Sequence, residues 1–561
     1  MTAAYDKICD VLVEAGIDHV FGIPGGGTIP IWNALYDRQD RIKAVLTRHE
    51  QAASCMADIY GRVTGRPAVL MGQGAFIASS GGFGILEAYL SNTPMLILTD
   101  TSDMGTFSQH ASYQSGTGEY GSFDIRDILK AMSKFTTYAV TPEEAVQGIQ
   151  LAVKHAMAGR PGPAAVVMRS SAISGDIDEN RVPRIYPTSG YLKGSLPTAP
   201  REEIKKAVGL LSEAKTPVII AGNGVHLSKS YDALRRLSES LGIPVASSYK
   251  GKSVFPETHP LALGMMGSFG QKLANDEIAR ADVILVAGCH LAPSDTLFES
   301  PDLIKPDAQT IIQIDIDPRN AGWTYPVSHA LVGDLKHIMG SMADMVDRNS
   351  PAAENRESEL AERKRASEFF TAPEAASDDI PLLPQRIVCE IDKAVDEHAL
   401  ITLDAGNNRL WMSHFFKSKA AGSVFCPGGA AGMGYGPPAA LGLKLLHPNR
   451  PVLSVSGDGG FAMVPHVLST AVQYRLPVAF LVMNNSGLGM VRDIQGDKII
   501  ATEFSPTDFA RIAQGFGCRG VTVHRAEEIQ PAISEAFGAD LPTVIDVITS
   551  PSEPFFKIWN R

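Results

Sequence analysis

The amino-acid sequence predicts an α/β protein made of three doubly wound parallel-sheet domains. Short apolar runs, which suit strands buried on both faces, alternate along the whole chain with longer runs of helical periodicity. This alternation is typical of parallel sheets covered by helices. The chain has 561 residues, which is too long for a single hydrophobic core. We therefore expect several domains of similar construction.

Two stretches interrupt the alternation and are predicted to be linkers. Residues 170–200 are rich in proline, and residues 350–380 are charged and rich in alanine. The predicted domains are residues 1–175, 190–350 and 378–552. Their predicted strands are 19–22, 43–47, 68–72, 95–99 and 164–168 in the first, 217–221, 244–247, 283–287 and 310–316 in the second, and 399–403, 451–456, 477–483 and 542–548 in the third.

Composition excludes several classes of function. The formal net charge is −11 and there is no basic block, so nucleic acid is not an expected partner. No apolar run is long enough to span a membrane, and the first residues lack a signal-peptide pattern. The six cysteines form no C-x-x-C pair, which predicts reduced thiols in a cytoplasmic protein.

The segment from Gly457 to Gly487 predicts a binding site for a metal and a diphosphate. It reads as a strand, the turn Gly457-Asp458-Gly459-Gly460, a helix, and a strand that ends at Asn484-Asn485. A carboxylate and a carboxamide thus meet at the carboxyl edge of two parallel strands. Mg²⁺ prefers oxygen ligands. It takes few of them from the protein, and phosphates supply others. The N–H groups of such a turn also bind anions.

A second carboxylate follows another predicted strand. Glu50 comes after residues 43–47 and opens a helical run, which places it at the ligand-binding edge of a parallel sheet. Taken alone, this residue is better explained as a glutamate in the first turn of a helix, where the helix dipole favours it by ~0.3–1 kcal/mol. Its order relative to other motifs changes that interpretation.

Five motifs follow one another along the chain: Phe21 to Gly27, Arg48-His49-Glu50-Gln51-Ala52-Ala53, Gly61 to Pro67, Gly428 to Gly436, and the Gly-Asp-Gly…Asn-Asn pair. In these motifs and their order, the chain resembles the acetohydroxyacid synthase (acetolactate synthase)-like branch of thiamine diphosphate enzymes over nearly its whole length. The resemblance implies a pyrimidine-binding domain, a central domain and a diphosphate-binding domain, in that order. It also implies a homodimer or homotetramer with active sites between subunits.

The resemblance implies specific roles for matching residues. Glu50 would bind N1′ of the aminopyrimidine and promote loss of the C2 proton. Asp458, Asn485 and the carbonyl of Gly487 would bind Mg²⁺. Met433 would bend the cofactor into a V, although it could also be a buried filler at a Gly-rich turn. The implied cofactor-binding residues are Pro24, Gly25, Gly406, Asn407, Asn408, Ala431, Met433, Gly457, Gly459, Gly460, Leu488, Gly489 and Met490.

The chain departs from that branch where substrate is expected to bind. Tyr120-Gly121 stands where acetohydroxyacid synthases carry Phe-Gln, and the turn that contains Phe76 also differs. Phe76, His110, Gln114 and Tyr120 are therefore candidate catalytic or substrate-contacting residues. The same loop is equally explained as a solvated surface excursion.

The central domain raises the possibility of FAD. Residues 221–225, 263–268 and 314–318 are similar to flavin-holding segments of the family. The two arginines expected near the dinucleotide are replaced by His290 and Ser294, which removes charge-assisted hydrogen bonds. Bound FAD is therefore doubtful.

The resemblance implies a carboligase that decarboxylates a 2-oxo acid and adds the enamine to a second carbonyl. The alternatives are a 2-oxo acid decarboxylase and a 2-hydroxyacyl-CoA-type C–C lyase, which release the product instead. A non-catalytic relative would be expected to lack Glu50, Asp458 or Asn485, and all three are present.

Overall fold

The computed structural model describes residues 1–103, 116–118, 122–178, 184–346 and 351–559, without the side chains of residues 351–354. Within these residues the chain forms three six-stranded sheets. Every strand pair in these sheets is parallel. This confirms the predicted fold class. A short antiparallel pair joins Thr2–Ala3 to Asp176–Ile177.

The first sheet has the strand order β2-β1-β3-β4-β6-β5. Its strands are β1 (His19–Gly22), β2 (Lys43–Leu46), β3 (Val69–Gly72), β4 (Met95–Thr101), β5 (Phe135–Ala139) and β6 (Pro163–Arg169). The helices of this part are α1 (Ala4–Glu14), α2 (Ile29–Ala34), α3 (Glu50–Thr64), α4 (Gly74–Ala78), α5 (Gly82–Ser91), α6 (Ile125–Met132), α7 (Pro142–Met157) and α8 (Ser170–Ser174).

The second sheet has the order β9-β8-β7-β10-β11-β12, which is the strand order of dinucleotide-binding folds. Its strands are β7 (Val218–Ala221), β8 (Val245–Ser247), β9 (Ala262–Met265), β10 (Val283–Ala287), β11 (Thr310–Asp315) and β12 (His329–Val332). The helices are α9 (Arg201–Glu213), α10 (Asn223–Ser228), α11 (Tyr231–Leu241), α12 (Lys272–Arg280), α13 (Leu335–Asp344) and α14 (Pro351–Arg365).

The third sheet, ordered β14-β13-β15-β16-β18-β17, repeats the order of the first. Its strands are β13 (Leu400–Leu403), β14 (Val424–Phe425), β15 (Val452–Gly457), β16 (Ala479–Asn484), β17 (Arg519–Val523) and β18 (Thr543–Ile548). The helices are α15 (Pro384–Ala394), α16 (Asn407–Phe415), α17 (Gly436–Leu446), α18 (Asp458–Ala462), α19 (Val467–Gln473), α20 (Gly489–Gln495), α21 (Phe509–Gly515) and α22 (Ile529–Phe537).

Every predicted strand is present, and the strands that the sequence did not predict are all at sheet edges: β5, β9, β12, β14 and β17. A central strand is buried on both faces and reads as a continuous apolar run, whereas an edge strand can carry polar residues. β17 shows this clearly, because only the last of its residues is buried.

The chain folds into two compact units. The first contains residues 1–195, 428–447 and 466–474, and the second contains residues 196–427, 448–465 and 475–561. Helices α17 and α19 thus belong to the unit of the first sheet. The domain boundaries expected from the sequence stay a prediction.

Part of the predicted linker 350–380 is the helix α14. No described helix is long and apolar enough to cross a membrane.

A buried ion pair joins the second and third sheets within the second unit. Lys252 is 1% exposed, and its Nζ donates to Oε2 of Glu257 at 2.6 Å. It also donates to the carbonyl oxygens of Phe416 at 2.6 Å and Ser413 at 3.1 Å. Burial lowers the pKa of Lys252, and the charge of Glu257 opposes that shift. The ammonium group thus connects the two sheets through a residue after β8 and the end of α16.

We expect Lys252→Ala to lower the free energy of unfolding by about 3–5 kcal/mol, because it leaves the Glu257 carboxylate buried without its cation. Lys272→Ala is the matched control: Lys272 pairs with Asp276 on the surface, where its side chain is 79% exposed, and such pairs contribute about 0–1 kcal/mol. Urea unfolding followed by circular dichroism measures both effects. Equal losses in the two variants would contradict this role of Lys252.

Candidate active site

One group of predicted site residues lies at the carboxyl edge of the third sheet. Asp458 begins α18 directly after β15, while Asn485 and Gly487 follow β16. The Gly487 N–H donates to Oδ2 of Asp458 at 2.9 Å. One end of the Asn485 amide lies 2.9 Å from the carbonyl oxygen of Gly487 and 3.3 Å from Oδ1 of Asp458. The parallel pairing of β15 and β16 therefore brings the three predicted metal ligands together.

This donor set suits a hard cation. Asp458 is 3% exposed, and burial raises the pKa of its carboxyl to about 6. Turned one way, the Asn485 amide donates from its nitrogen to both neighbouring oxygens; turned the other way, it presents its own oxygen at the same point. Carboxylate, amide and carbonyl oxygens are ligands that Mg²⁺ accepts. No cluster of three His, Cys, Asp or Glu side chains offers another metal site in the described part of the chain.

The turn after β13 lies beside this group. Gly406 has φ +110°, which only glycine adopts readily. Asn407 begins α16, and its Nδ2 donates to Oδ2 of Asp493 at 3.0 Å. Its Oδ1 is buried and accepts no hydrogen bond from the described residues. Asn408 is turned inward, because its Nδ2 donates to the carbonyl oxygen of Asp404 at 3.0 Å. Asn407 is therefore the better placed of the two asparagines to bind a ligand.

Close packing keeps two predicted glycines free of side chains. A Cβ on Gly459 would lie 2.8 Å from Cδ2 of Leu488, and a Cβ on Gly489 would lie 2.6 Å from Nδ2 of Asn485. A Cβ on Gly457 would make an ordinary contact with Asn408 at 3.5 Å. The predicted residues of the third sheet thus lie close together, with Gly459 and Gly489 buried and with N–H groups suited to phosphate at the starts of α16 and α18. Gly460 lies within α18, and Met490 packs partly against the core of the third sheet.

A groove of about 440 Å³ opens next to Asp458, a size that suits a small-molecule ligand. Asn484 anchors it, since its Nδ2 donates to Oδ1 of Asp546 at 3.0 Å. Sequence reasoning did not single out the loop that forms most of the wall, because polar loop residues carry no periodic signal. The lining residues are Asp458, Ala462, Asn484, Ser486, Glu503, Phe504, Ser505, Thr507 and Phe509.

A second group of predicted residues belongs to the first unit. Glu50 is the first residue of α3, which His49 caps by accepting a hydrogen bond from the N–H of Gln51 at 3.2 Å. Glu50 is half-buried. Among the described residues its carboxylate has no hydrogen-bond partner.

The turn from Gly428 to Met433 lies in the same unit, because α17 packs against α3. Tyr435, at the start of α17, donates its hydroxyl to Oδ2 of Asp58 in α3 at 2.6 Å. Ala431 has φ +56°, a left-handed conformation that costs about 1–2 kcal/mol for a residue other than glycine. Met433 is half-buried. The structure thus brings the helix that begins with Glu50 together with the helix that follows Ala431 and Met433.

Asp100 organises the glycine-rich turns at the edge of the first sheet. Its Oδ2 accepts from the N–H of Gly27 at 2.6 Å, and its Oδ1 accepts from the N–H of Gly74 at 3.0 Å. Burial raises the pKa of the Asp100 carboxyl, and these hydrogen bonds oppose the shift. Asp100 therefore joins the turn that contains the predicted residues Pro24 and Gly25 to the turn that leads to Phe76.

Two acidic residues, Asp100 and Glu87, were missed in the sequence although a signal exists. Glu87 is a carboxylate within the apolar run 83–90, and Asp100 follows directly after the apolar run 95–98 and Thr99. A carboxylate in such a place needs a specific partner when it is buried. Phe76, a predicted substrate residue, is 41% exposed. The predicted residues His110, Gln114 and Tyr120 lie outside the described residues.

The central sheet does not offer FAD a phosphate site at the expected turn. The N–H groups of Gly222 and Gly224 donate to the carbonyl oxygens of Ala287 and Gly288, both at 2.9 Å. A Cβ on Gly222 would lie 2.4 Å from the oxygen of Gly288, so the turn packs directly on the end of β10. These two N–H groups are used within the protein. The residues at this turn therefore do not fit a dinucleotide phosphate.

Comparison with known proteins identifies the family. The N-terminal TPP binding domain of thiamine pyrophosphate enzymes matches residues 2–117. The central domain of these enzymes matches residues 204–342, and their C-terminal TPP binding domain matches residues 404–547. All three matches follow the order of the three sheets.

Individual relatives extend the likeness over almost the whole chain. The chain is 33% identical to a probable acetolactate synthase large subunit of Methanocaldococcus jannaschii, over 98% of this chain and 92% of that protein. It is 31% identical to the acetolactate synthase large subunit of Corynebacterium glutamicum, over 96% of this chain and 85% of that protein. It is 30% identical to the acetolactate synthase isozyme 3 large subunit of Escherichia coli, over 96% of this chain and 92% of that protein. The chain therefore belongs to the thiamine pyrophosphate enzyme family and is a thiamine diphosphate-dependent enzyme of the acetolactate synthase type.

Proposed function

We propose that this enzyme is a Mg²⁺-dependent carboligase, which removes CO₂ from a 2-oxo acid and adds the remaining acyl unit to a second carbonyl compound. The observation that carries the proposal is the meeting of Asp458, Asn485 and the Gly487 carbonyl at one point. An oxygen site of this kind, beside phosphate-binding main chain, suits a diphosphate held through Mg²⁺. The relatives named as acetolactate synthases support the same reaction class.

At the diphosphate end, the residues of the third sheet bind the cation and orient the diphosphate. Asp458, Asn485 and Gly487 hold the cation. Gly459 and Gly489 keep this region closely packed, because a Cβ there would meet Leu488 and Asn485, and the N–H groups at the starts of α16 and α18 would bind phosphate oxygens. The buried Oδ1 of Asn407 lacks a donor among the described residues, and it would accept a hydrogen bond from a water molecule bound to the cation.

At the pyrimidine end, the residues of the first unit hold protons. Thiamine diphosphate, when bound, supplies a carbon nucleophile and an electron sink. The half-buried carboxylate of Glu50 would share a proton with N1′ of the aminopyrimidine, and the Ala431 carbonyl would accept a hydrogen bond from the 4′-amino group. Met433 and Phe76, in the same unit, supply apolar surface that excludes water and lowers the local dielectric.

The reaction class is tested by product analysis with pyruvate, thiamine diphosphate and Mg²⁺, with and without an added aldehyde or second 2-oxo acid. We expect an acyloin or an acetohydroxy acid. Free aldehyde without a ligated product would instead indicate a decarboxylase. Cleavage of a 2-hydroxyacyl-CoA, with pyruvate unused, would indicate a lyase. The visible spectrum of the purified protein tests FAD directly, because a flavin absorbs there.

A pair of variants tests the two halves of the proposed site independently. Glu50→Gln should keep its affinity for the cofactor but slow H/D exchange at C2 by about 100-fold or more, because it removes a general acid–base group. Asp458→Ala should lose Mg²⁺-dependent cofactor binding itself. Proton NMR of C2 and calorimetric titration measure the two effects. Normal C2 exchange in Glu50→Gln would refute the role assigned to Glu50.

We further propose a cytoplasmic homodimer or homotetramer in which the first domain of one chain and the third domain of its partner complete each active site. Leu86, Tyr89 and Leu90 support an oligomer, because they expose an apolar stripe along α5 and such stripes are typical of interfaces. Sedimentation equilibrium of the purified protein should give a dimer or tetramer. A stable, active monomer would contradict this proposal.

A further inference from the structure

A buried cluster of charges lies between α3, α5 and α17 and is not used by the proposed chemistry. It contains one cation, Arg62, and two carboxylates, Asp58 and Glu87; both carboxylates are fully buried. Arg62 forms ion pairs with Asp58 at 2.7 Å and with Glu87. Tyr435 donates its hydroxyl to the same Asp58. Two buried negative charges around one positive charge are unfavourable unless further donors bind one of the carboxylates.

Glu87 receives those donors from the turn before α17. Its Oε1 accepts from the N–H groups of Gly428 and Gly429, each at 2.9 Å, and its Oε2 accepts from the N–H of Ala431 at 2.9 Å. Burial would raise the pKa of Glu87, but the charge of Arg62 and these three hydrogen bonds lower it to about 2. The carboxylate is therefore ionised whenever the enzyme is folded near neutral pH.

The contact sets the shape of the turn as well as its place. Ala431 is in the left-handed region at φ +56°, which a residue with a Cβ adopts only when its surroundings require it. Because peptide groups are trans and planar, three N–H groups aimed at Glu87 turn the preceding carbonyl groups away from it. The turn lies directly on α5, since a Cβ on Gly432 would come 2.2 Å from the ring of Phe83.

We propose that Glu87 is a positioning residue whose buried carboxylate holds the turn from Gly428 to Ala431 in the conformation that receives the aminopyrimidine. This inference rests on the proposed function only for the identity of the ligand. Glu87 acts through the main chain of Ala431 and through Met433, and it contacts no substrate. Arg62 and Asp58 link the same carboxylate to α3, the helix that begins with Glu50.

Glu87→Gln is a selective probe of this role. The Oε1 position accepts from Gly428, Gly429, Arg62 and Ser91, so the oxygen of the new amide is expected there. Its NH₂ group then faces the N–H of Ala431, and two donors oppose each other. The variant also leaves Arg62 and Asp58 as a neutral buried pair, which favours retention of the fold.

The matched control is Glu277→Gln in the central domain. Glu277 is also buried and pairs with two arginines, Arg280 at 3.0 Å and Arg363 at 2.8 Å, but it is not bonded to the turn. Hydrogen–deuterium exchange mass spectrometry of the cofactor-free proteins, on peptides spanning residues 426–433, reports the turn directly. H/D exchange at C2 of added thiamine diphosphate with Mg²⁺, measured beside the binding affinity, reports its effect on the pyrimidine.

We expect the turn in Glu87→Gln to exchange about tenfold faster or more, because a hydrogen bond to a charged group is lost. C2 exchange should slow by a similar factor while Mg²⁺-dependent binding is kept, and Glu277→Gln should change neither. Unchanged amide exchange, or faster amide exchange with normal C2 exchange, overturns the positioning role.

Other outcomes are equally decisive. If Glu87→Gln does not fold, Glu87→Asp replaces it, since the charge stays and the carboxylate retreats by one methylene; normal exchange in that variant overturns the proposal. If the wild-type protein binds no thiamine diphosphate, the proposed function fails and the positioning role fails with it. If the wild-type protein binds the cofactor but the Glu87 variants show the same amide exchange and C2 exchange as the wild type, the positioning role alone fails.

Discussion

Parallel strand pairing is the constraint on which both groups of site residues depend. In a parallel sheet every carboxyl end lies at the same edge, so segments distant in sequence meet there. β15 and β16 bring Asp458 to Gly487 in this way, and β1 and β3 bring together two turns that share Asp100 as acceptor. Antiparallel neighbours would send successive chain exits to opposite edges and separate these groups.

The first and third sheets share one strand order, but different residues follow the equivalent strands. In the first sheet β2 leads to Glu50 and α3, and in the third sheet β14 leads to the turn of Ala431 and α17. These two equivalent helices pack against each other in the first unit. The third strand of each sheet ends in a glycine-rich turn, and the turn after β15 contributes the Asp458 carboxylate. The repeated fold thus places different side chains at equivalent strand ends.

Buried charged side chains hold specific main-chain segments in place. Lys252 connects the second and third sheets through Glu257 and two carbonyl oxygens, and Glu87 holds three N–H groups of one turn. Such contacts are directional, and removing one partner leaves a buried charge that no water reaches. Apolar packing alone would allow small shifts of the turn, whereas a carboxylate with three N–H donors permits few. This explains how Ala431 is kept in a left-handed conformation.

The sequence alone determined the central strands and the three-sheet architecture, because continuous apolar runs are local signals. The roles of Glu50, Asp458 and Asn485 were predicted from spaced motifs and from the resemblance, and they stay a prediction. Edge strands such as β17 escaped prediction, since exposure lets them carry polar residues. Only the tertiary structure assigned Glu87 to the Gly428 turn and Asp100 to its two turns. These contacts join positions far apart in the chain, and a buried carboxylate is recognisable in sequence only as an acidic residue among apolar ones. The donors that neutralise it are main-chain N–H groups, which every residue type except proline carries, so no pattern of side chains could have named them.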